Sequence, residues 1–319
     1  MATTLISTGI QYSDGFVEGT AYASTSRAIF GYGSLFASTN FNVTNQVNNI
    51  GLVTTDIGGV GTIRYNLAAA GYGGDKAIFG YGYNSSVGLS WVSMTNLVSN
   101  TGGVSADVTG VGTVRSNLAA AGYGGDKAIF GYGYNGNSVD YTSLTNLVSN
   151  TGVVANDVTG VGTVRNALAA VGYGVDKAIF GYGYDGTNIV SLTNLVSNTG
   201  VVSADVTGVG TARYLLAAAG YGGDKAIFGY GLNGNWLSMT NLVSNTGVVS
   251  ADVTGVGTAR IALAAAVYGG DKAIFGYGLT SGFTNSSLTN LVSSTGVVAT
   301  DSTGVGTARG YLAAAGYSS

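Results

Sequence analysis

Three observations predict an all-β chain built from six copies of one sheet-forming unit. The stretch Asp75-Lys76-Ala77-Ile78-Phe79-Gly80-Tyr81-Gly82 recurs, with its phenylalanine at Phe30, Phe79, Phe130, Phe180, Phe228 and Phe275, so the intervals are 49, 51, 50, 48 and 47 residues. A fixed period in this range marks a repeat architecture whose units share one continuous core. Glycine supplies 55 of 319 residues and proline none, and glycine-aspartate clusters between short apolar runs read as hairpin turns. Finally, the chain enters its first clear unit at Arg27-Ala28-Ile29-Phe30 and ends on a lone Leu312-Ala313-Ala314-Ala315-Gly316-Tyr317. A last strand that completes the first sheet removes an otherwise unpaired edge.

The unit from Arg115 illustrates each element. Leu118-Ala119-Ala120-Ala121-Gly122-Tyr123 has helix-favouring alanines, but its length and flanking glycines favour a short buried strand. Gly124-Gly125-Asp126 turns the chain into a second strand, Lys127-Ala128-Ile129-Phe130-Gly131-Tyr132-Gly133. Alternation places Ala128, Phe130 and Tyr132 on one face and Lys127, Ile129 and the glycines on the other, which suits sheets stacked large into small. A variable loop, Tyr134-Asn135-Gly136-Asn137-Ser138-Val139-Asp140-Tyr141, follows. A third strand about Ser143 to Ser149 and a fourth about Val153 to Thr159 complete the unit.

Charge is rationed by the repeat. All twelve basic residues occupy two slots: Arg27, Lys76, Lys127, Lys177, Lys225 and Lys272 before Ala-Ile-Phe, and Arg64, Arg115, Arg165, Arg213, Arg260 and Arg309 closing each Gly-Val-Gly-Thr-x-Arg or its variant. Asp56, Asp107, Asp157, Asp205, Asp252 and Asp301 stand eight residues before the arginines, and five further aspartates precede the lysines. Such placement predicts structural ion pairs between the arginines and Asp107, Asp157, Asp205 and Asp252. Hydrophobic residues are 45% and the net charge is −3, a composition that folds rather than stays disordered.

Four short antiparallel strands per unit are the content of a propeller blade, so the expected fold is a six-bladed β-propeller of four-stranded blades, closed by the carboxy-terminal strand. A β-solenoid or fibrous repeat is the alternative. Residues 1–25 form an amino-terminal extension and 26–319 the propeller, with unit boundaries near Arg64, Arg115, Arg165, Arg213, Arg260 and Arg309; Ala21-Tyr22-Ala23 could compete as a decayed first strand. The order of arginine, alanine-rich strand, glycine-ended strand, variable loop and two outer strands resembles the kelch repeat over about residues 26–317. Gly131-Tyr132-Gly133 stands where kelch carries a glycine doublet, and its fourth-strand tryptophan is missing. The near-identity of the copies also resembles phage virion proteins, which implies a virion-associated or extracellular setting.

No chemistry of the common kinds is legible. Without histidine or cysteine there is no Ser–His or Cys–His nucleophile pair, no ordinary zinc site, and no disulfide; no cofactor is expected. Asp14 and Glu18 are the only close unique carboxylates for a glycosidase, and read as surface. Gly-Val-Gly-Thr-x-Arg superficially resembles a phosphate loop but enters a strand rather than a helix. Calcium through the aspartate slots is an alternative, with one carboxylate per slot. No basic run suggests nucleic acid, no apolar run is long enough to span a bilayer as a helix, and the amino terminus lacks the positive region of a secretory signal. The periodic Phe79 and Tyr81 read as core. Six variable loops on one face carry Phe36, Trp91, Tyr141, Trp236 and Phe283, the expected partner-binding residues. The expected function is non-enzymatic: presentation of this face to a protein partner in a larger assembly, with a glycan-binding lectin using Trp91 and Trp236 as runner-up. Homo-oligomerisation stays open.

Overall fold

The computed structural model of the chain describes residues 3–6, 9–12, 17–19, 26–36, 39–85, 90–136 and 140–318. Among them six antiparallel three-stranded sheets repeat one plan. In the unit after Arg115 the strands are Ala119–Tyr123, Lys127–Gly131 and Thr145–Val148. Ala119 pairs with Gly131, and Ala128 with Val148. The last strand of the chain, Ala313–Ser318, pairs with Ser26–Gly31 in this same register, Ala313 opposite Gly31. The first and last repeats thus share one sheet.

Small residues let the alanine-rich strands approach one another. Each packs against the corresponding strands of the units before and after it, and Ala313–Ser318 lies between Ala68–Tyr72 and Ala264–Tyr268. A Cβ on Gly122 would meet the Gly71 carbonyl at 3.3 Å, and one on Gly172 the Gly122 carbonyl at 3.0 Å. The expected large-into-small stacking is present between the middle strands. A Cβ on Gly80 would lie 2.7 Å from the Phe130 ring, one on Gly131 2.7 Å from Phe180, and one on Gly276 2.8 Å from Phe30.

Two expectations need correction. The fourth strand is not a strand: Val104–Val108, like its counterparts, touches the third only through isolated bridges, Val98 to Val104 and Thr95 to Val108. Side chains intercept the ladder between them. The Asn96 amide donates to the Ser105 carbonyl at 3.0 Å, and the Leu97 N–H donates to Ser105 Oγ at 2.9 Å. A backbone group so engaged cannot extend a regular sheet. Second, Tyr132 does not share a face with Ala128 and Phe130. It adopts a left-handed backbone, φ 64°, and packs with Ile129 and Phe180, while Ala128 and Phe130 pack with Tyr81. One left-handed residue inverts the alternation that a strand would have continued.

The amino-terminal strands Thr3–Ile6, Gly9–Tyr12 and Val17–Gly19 pair only with one another. Ala21-Tyr22-Ala23 and Asp14 lie outside the described residues, as does the side chain of Glu18.

Candidate binding face

The six arginines anchor the frame on which the variable loops sit. All are fully buried. Each guanidinium lies over the tyrosine ring of the preceding Gly-Tyr-Gly, from Arg64 over Tyr32 at 4.3 Å to Arg309 over Tyr277 at 4.5 Å. Such a stack is worth about 2 kcal/mol when desolvated. The direct ion pairs expected from the spacing are replaced by a relay. Arg213 Nη2 donates to Asn241 Oδ1 at 2.7 Å, and Asn241 Nδ2 donates to Asp252 at 2.9 Å. Of the expected pairs only Arg64 and Asp107 come within 4 Å, at 3.9 Å. In Arg115, Arg165 and Arg260 the guanidinium is turned so that Nη1 meets two carbonyls and Nε has no partner.

The relay joins neighbouring units. Asp157 receives the Thr113 N–H at 3.0 Å and the Thr113 hydroxyl at 2.7 Å from the preceding unit. The glycine-rich loop therefore does cradle an anion, the carboxylate of the next repeat. Burial raises the Asp157 carboxyl, but the bonds from Thr113 and Asn146 and the charge of Arg115 outweigh burial and hold it below the usual carboxylate value. Asp56, Asp107, Asp205, Asp252 and Asp301 are lowered by the same balance. Asp56 receives these bonds from Thr307, 251 positions away. The exposed aspartate–lysine pairs, such as Asp75 with Lys76 at 2.6 Å, lie outside this relay.

Two residues after each arginine the chain turns through a left-handed residue: Asn66, Asn117, Ala167, Leu215, Ala262 and Tyr311, φ between 50° and 57°. These six N–H groups form a closed cycle. Asn117 donates to Asn66, Ala167 to Asn117, Leu215 to Ala167, Ala262 to Leu215, Tyr311 to Ala262 and Asn66 to Tyr311, at 2.8–2.9 Å. Every member repeats in space, while the residue itself is Asn twice, Ala twice, Leu once and Tyr once. The following leucines, Leu67, Leu118, Leu168, Leu216, Leu263 and Leu312, are buried beside the cycle around a void of only about 70 Å³. On the other side of the cycle lies a depression of about 560 Å³, whose wall includes Tyr65, Asn66, Asn117, Asn166, Tyr184 and Tyr214.

The variable loops lie beside these crossings, each crossing residue bridging the start of its own loop: Tyr65 to Tyr83, Ser116 to Tyr134, Asn166 to Tyr184. The loop aromatics reach towards the next unit. The Trp91 ring covers Gly136, where a Cβ would come within 2.5 Å, and Tyr141 likewise covers Gly186. Trp91 Nε1 donates to Ser116 Oγ at 3.2 Å. Tyr311, Tyr65, Tyr83, Trp91, Tyr134, Tyr141, Tyr184 and Tyr214 form an unbroken series of ring contacts, with centroids 4.8–6.2 Å apart. Phe36 stacks on Phe283 at 4.5 Å, and Trp236 meets the same ring at 5.3 Å. Of the five expected binding residues, only Phe36 and Phe283 are exposed, at 42% and 40%.

The sequence reading missed the tyrosines and asparagines of the crossings. Their signal was available: the two positions after each arginine change from copy to copy inside an otherwise conserved stretch. Burial raises Tyr65, Tyr141 and Tyr311 above the usual tyrosine value, so these phenols stay neutral at physiological pH. Among the described residues no group of three acidic or other metal-ligating side chains converges, and no helix is long and apolar enough to cross a membrane. The face offers amides, phenols and aromatic rings, which is chemistry for recognition. The chain matches no protein-family model and no curated protein.

Proposed function

We propose that the six sheets close into a kelch-like, six-bladed β-propeller whose loop face is presented, without catalysis, to a protein partner in a larger assembly such as a phage particle. The carrying observation is a contrast within each unit. Arginine, asparagine and left-handed tyrosine are buried and repeated six times. The loops and crossings riding on them differ in length and residue type and lie side by side around one hydrogen-bond cycle. A frame that fixes its loops spares a partner the cost of ordering them, which for each rotamer-rich side chain is about 0.5–1.5 kcal/mol. Propeller closure is favoured by the pairing of Ala313–Ser318 with Ser26–Gly31, which an open solenoid does not use.

Three measurements test the reading. Class averages of the purified protein in negative stain should be six-lobed discs; rods would end the propeller. Particles or complexes purified from the source should hold the chain at fixed stoichiometry. Exchanging the loop Tyr184–Val190 for the shorter Leu232–Leu237 should weaken incorporation while leaving the melting temperature within a few degrees. A chain recovered only as free monomer would refute the assembly role.

A further inference from the structure

We infer that the depression over the hydrogen-bond cycle is a binding site for an uncharged saccharide, with Asn66, Asn117 and Asn166 bonding its hydroxyls and Tyr65, Tyr184 and Tyr214 forming its apolar wall. This rests on reading the loop face as the recognition face, and moves the ligand from the rim tryptophans to the centre.

The copied repeat supplies the first reason. Around the cycle the residue pairs after the arginines read Tyr65-Asn66, Ser116-Asn117, Asn166-Ala167, Tyr214-Leu215, Ile261-Ala262 and Gly310-Tyr311, between an invariant arginine and an invariant leucine. The left-handed backbone itself tolerates Ala, Leu, Tyr and Asn, all at φ near 50–57°. Geometry therefore leaves the choice of side chain open, and these positions are free to answer to a ligand. They also divide the face. Ile261, Ala262 and Leu279 are buried and pack with Leu215, Leu232 and Trp236, which fills one half, whereas the asparagines line the other, where the depression lies.

The lining supplies the chemistry. Among the described residues it carries no Asp, Glu, Lys or Arg, so a charged ligand would lose its hydration without gaining a counter-charge, an expensive exchange. Amides offer both donors and an acceptor, matching hydroxyls that are themselves both, and phenol rings offer flat apolar area. Asn166, one of the lining residues, has a buried Oδ1 with no hydrogen-bond partner. About 560 Å³ falls within the usual range of small-molecule sites, roughly 300–1,000 Å³, and suits one or two sugar rings. The rim tryptophans are poorer candidates, because Trp91 is already engaged with Tyr83, Tyr134, Ser116 and Gly136.

The repeat also supplies substitutions whose folding is already vouched for. Alanine occupies the cycle at positions 167 and 262, and serine follows arginine at 116. The variants Asn66→Ala with Asn117→Ala, and Tyr65→Ser with Tyr214→Ser, should therefore fold as the parent does. The full chain would be screened against an array of neutral, sialylated and sulfated glycans, and hits measured by calorimetry. The expected result is binding confined to neutral glycans, weakened at least tenfold in both double variants and unchanged in Trp91→Ala. Binding confined to charged glycans, no retention of any neutral glycan, or equal affinity in the double variants would overturn the site. Six-lobed particles that bind no sugar would sink this inference alone; particles without six lobes would sink the frame beneath it.

Discussion

At the scale of single residues, one glycine position decides how closely the middle strands of neighbouring units approach. Gly131 faces the Phe180 ring, and a Cβ there would stand 2.7 Å from the ring's far carbon. Phe180 is fully buried and has no room to turn aside, so an added methyl is overpacking rather than a filled gap. Gly131→Ala should cost about 1–3 kcal/mol, read as a lower midpoint in chemical denaturation. Gly125→Ala is the control. Nothing lies within 4 Å of its Cβ, and only its positive φ of 79° resists, a cost of about 1–2 kcal/mol. Equal losses at the two sites would mean that ring packing does not set the spacing. The left-handed tyrosines of Gly-Tyr-Gly are the other decisive residues. Tyr132 is held by Arg165 over its ring, by its hydroxyl donating to the Val161 carbonyl at 3.1 Å, and by Phe180 at 5.0 Å. Those contacts offset a backbone strain of order 1–2 kcal/mol.

At the scale of elements, neighbouring units are joined by aspartates whose folded pKa values are lowered. A carboxyl with a lowered folded pKa adds stability above its unfolded value, about 3.9, and that stability is lost as pH falls through the folded value. Six such groups act together. Stability should thus be level near neutrality and fall cooperatively below about pH 4. Asp157→Asn should be less stable at pH 7 and show a shallower acid decline, because the Thr113 and Asn146 bonds then end on a neutral amide. Melting temperatures at pH 7 and pH 3 for both proteins check this; parallel curves would remove the aspartates from the account. At the alkaline end the sign reverses. Tyr277 is pushed up to about 12 by burial, so its contribution is full below about pH 10 and fades as pH rises towards 12.

The same elements mark what the sequence made legible. Repeat period, strand order, the glycine–phenylalanine stacking and the sheet shared by the two ends are all written in residue spacing. The fourth strand misled because its valine and serine pattern is a strand pattern, while the side chain of Asn96, on the neighbouring strand, decides where its carbonyls go. Tyr132 misled because nothing local distinguishes a left-handed tyrosine from an extended one; its restraints come from Arg165 and Phe180, 33 and 48 positions further on by the numbering. The crossing residues were overlooked because they look like drift in one dimension. Only the fold gathers Asn66, Asn117 and Asn166 around one depression.

At the scale of the whole molecule, the proposed closure rests on the strand Ala313–Ser318. In the other units the first strand runs into the second through a short turn, as in Tyr123-Gly124-Gly125-Asp126-Lys127; here the two are separate ends of the chain, Tyr317 opposite Arg27. Contacts across this junction follow the pattern found elsewhere. Gly269 donates to the Ser26 carbonyl at 2.9 Å and Ser318 donates to the Asp75 carbonyl at 3.0 Å, where Gly73 donates to Asp126 in an ordinary unit. A circular permutant should therefore fold if it joins Tyr317 to Arg27 through Gly-Gly-Asp, omits residues 1–26, and opens new termini in the exposed turn at Asn150 and Thr151. Its melting temperature should be within a few degrees of the parent, since each of the six repeated sheets keeps its three strands. Truncation after Tyr311 should behave oppositely. It removes Ala313, Ala315 and Tyr317 from the cluster they share with Ile29, Leu67 and Phe79, removes Leu312 from the one it shares with Phe30 and Tyr277, and bares the edge of Ser26–Gly31. Each large side chain lost from such a core costs about 2–5 kcal/mol, enough in sum to unfold a domain of ordinary stability. Adding a peptide of residues 312–318 should then restore cooperative melting. A permutant that fails to fold while the truncation melts like the parent would mean that the shared sheet is not what holds the molecule shut.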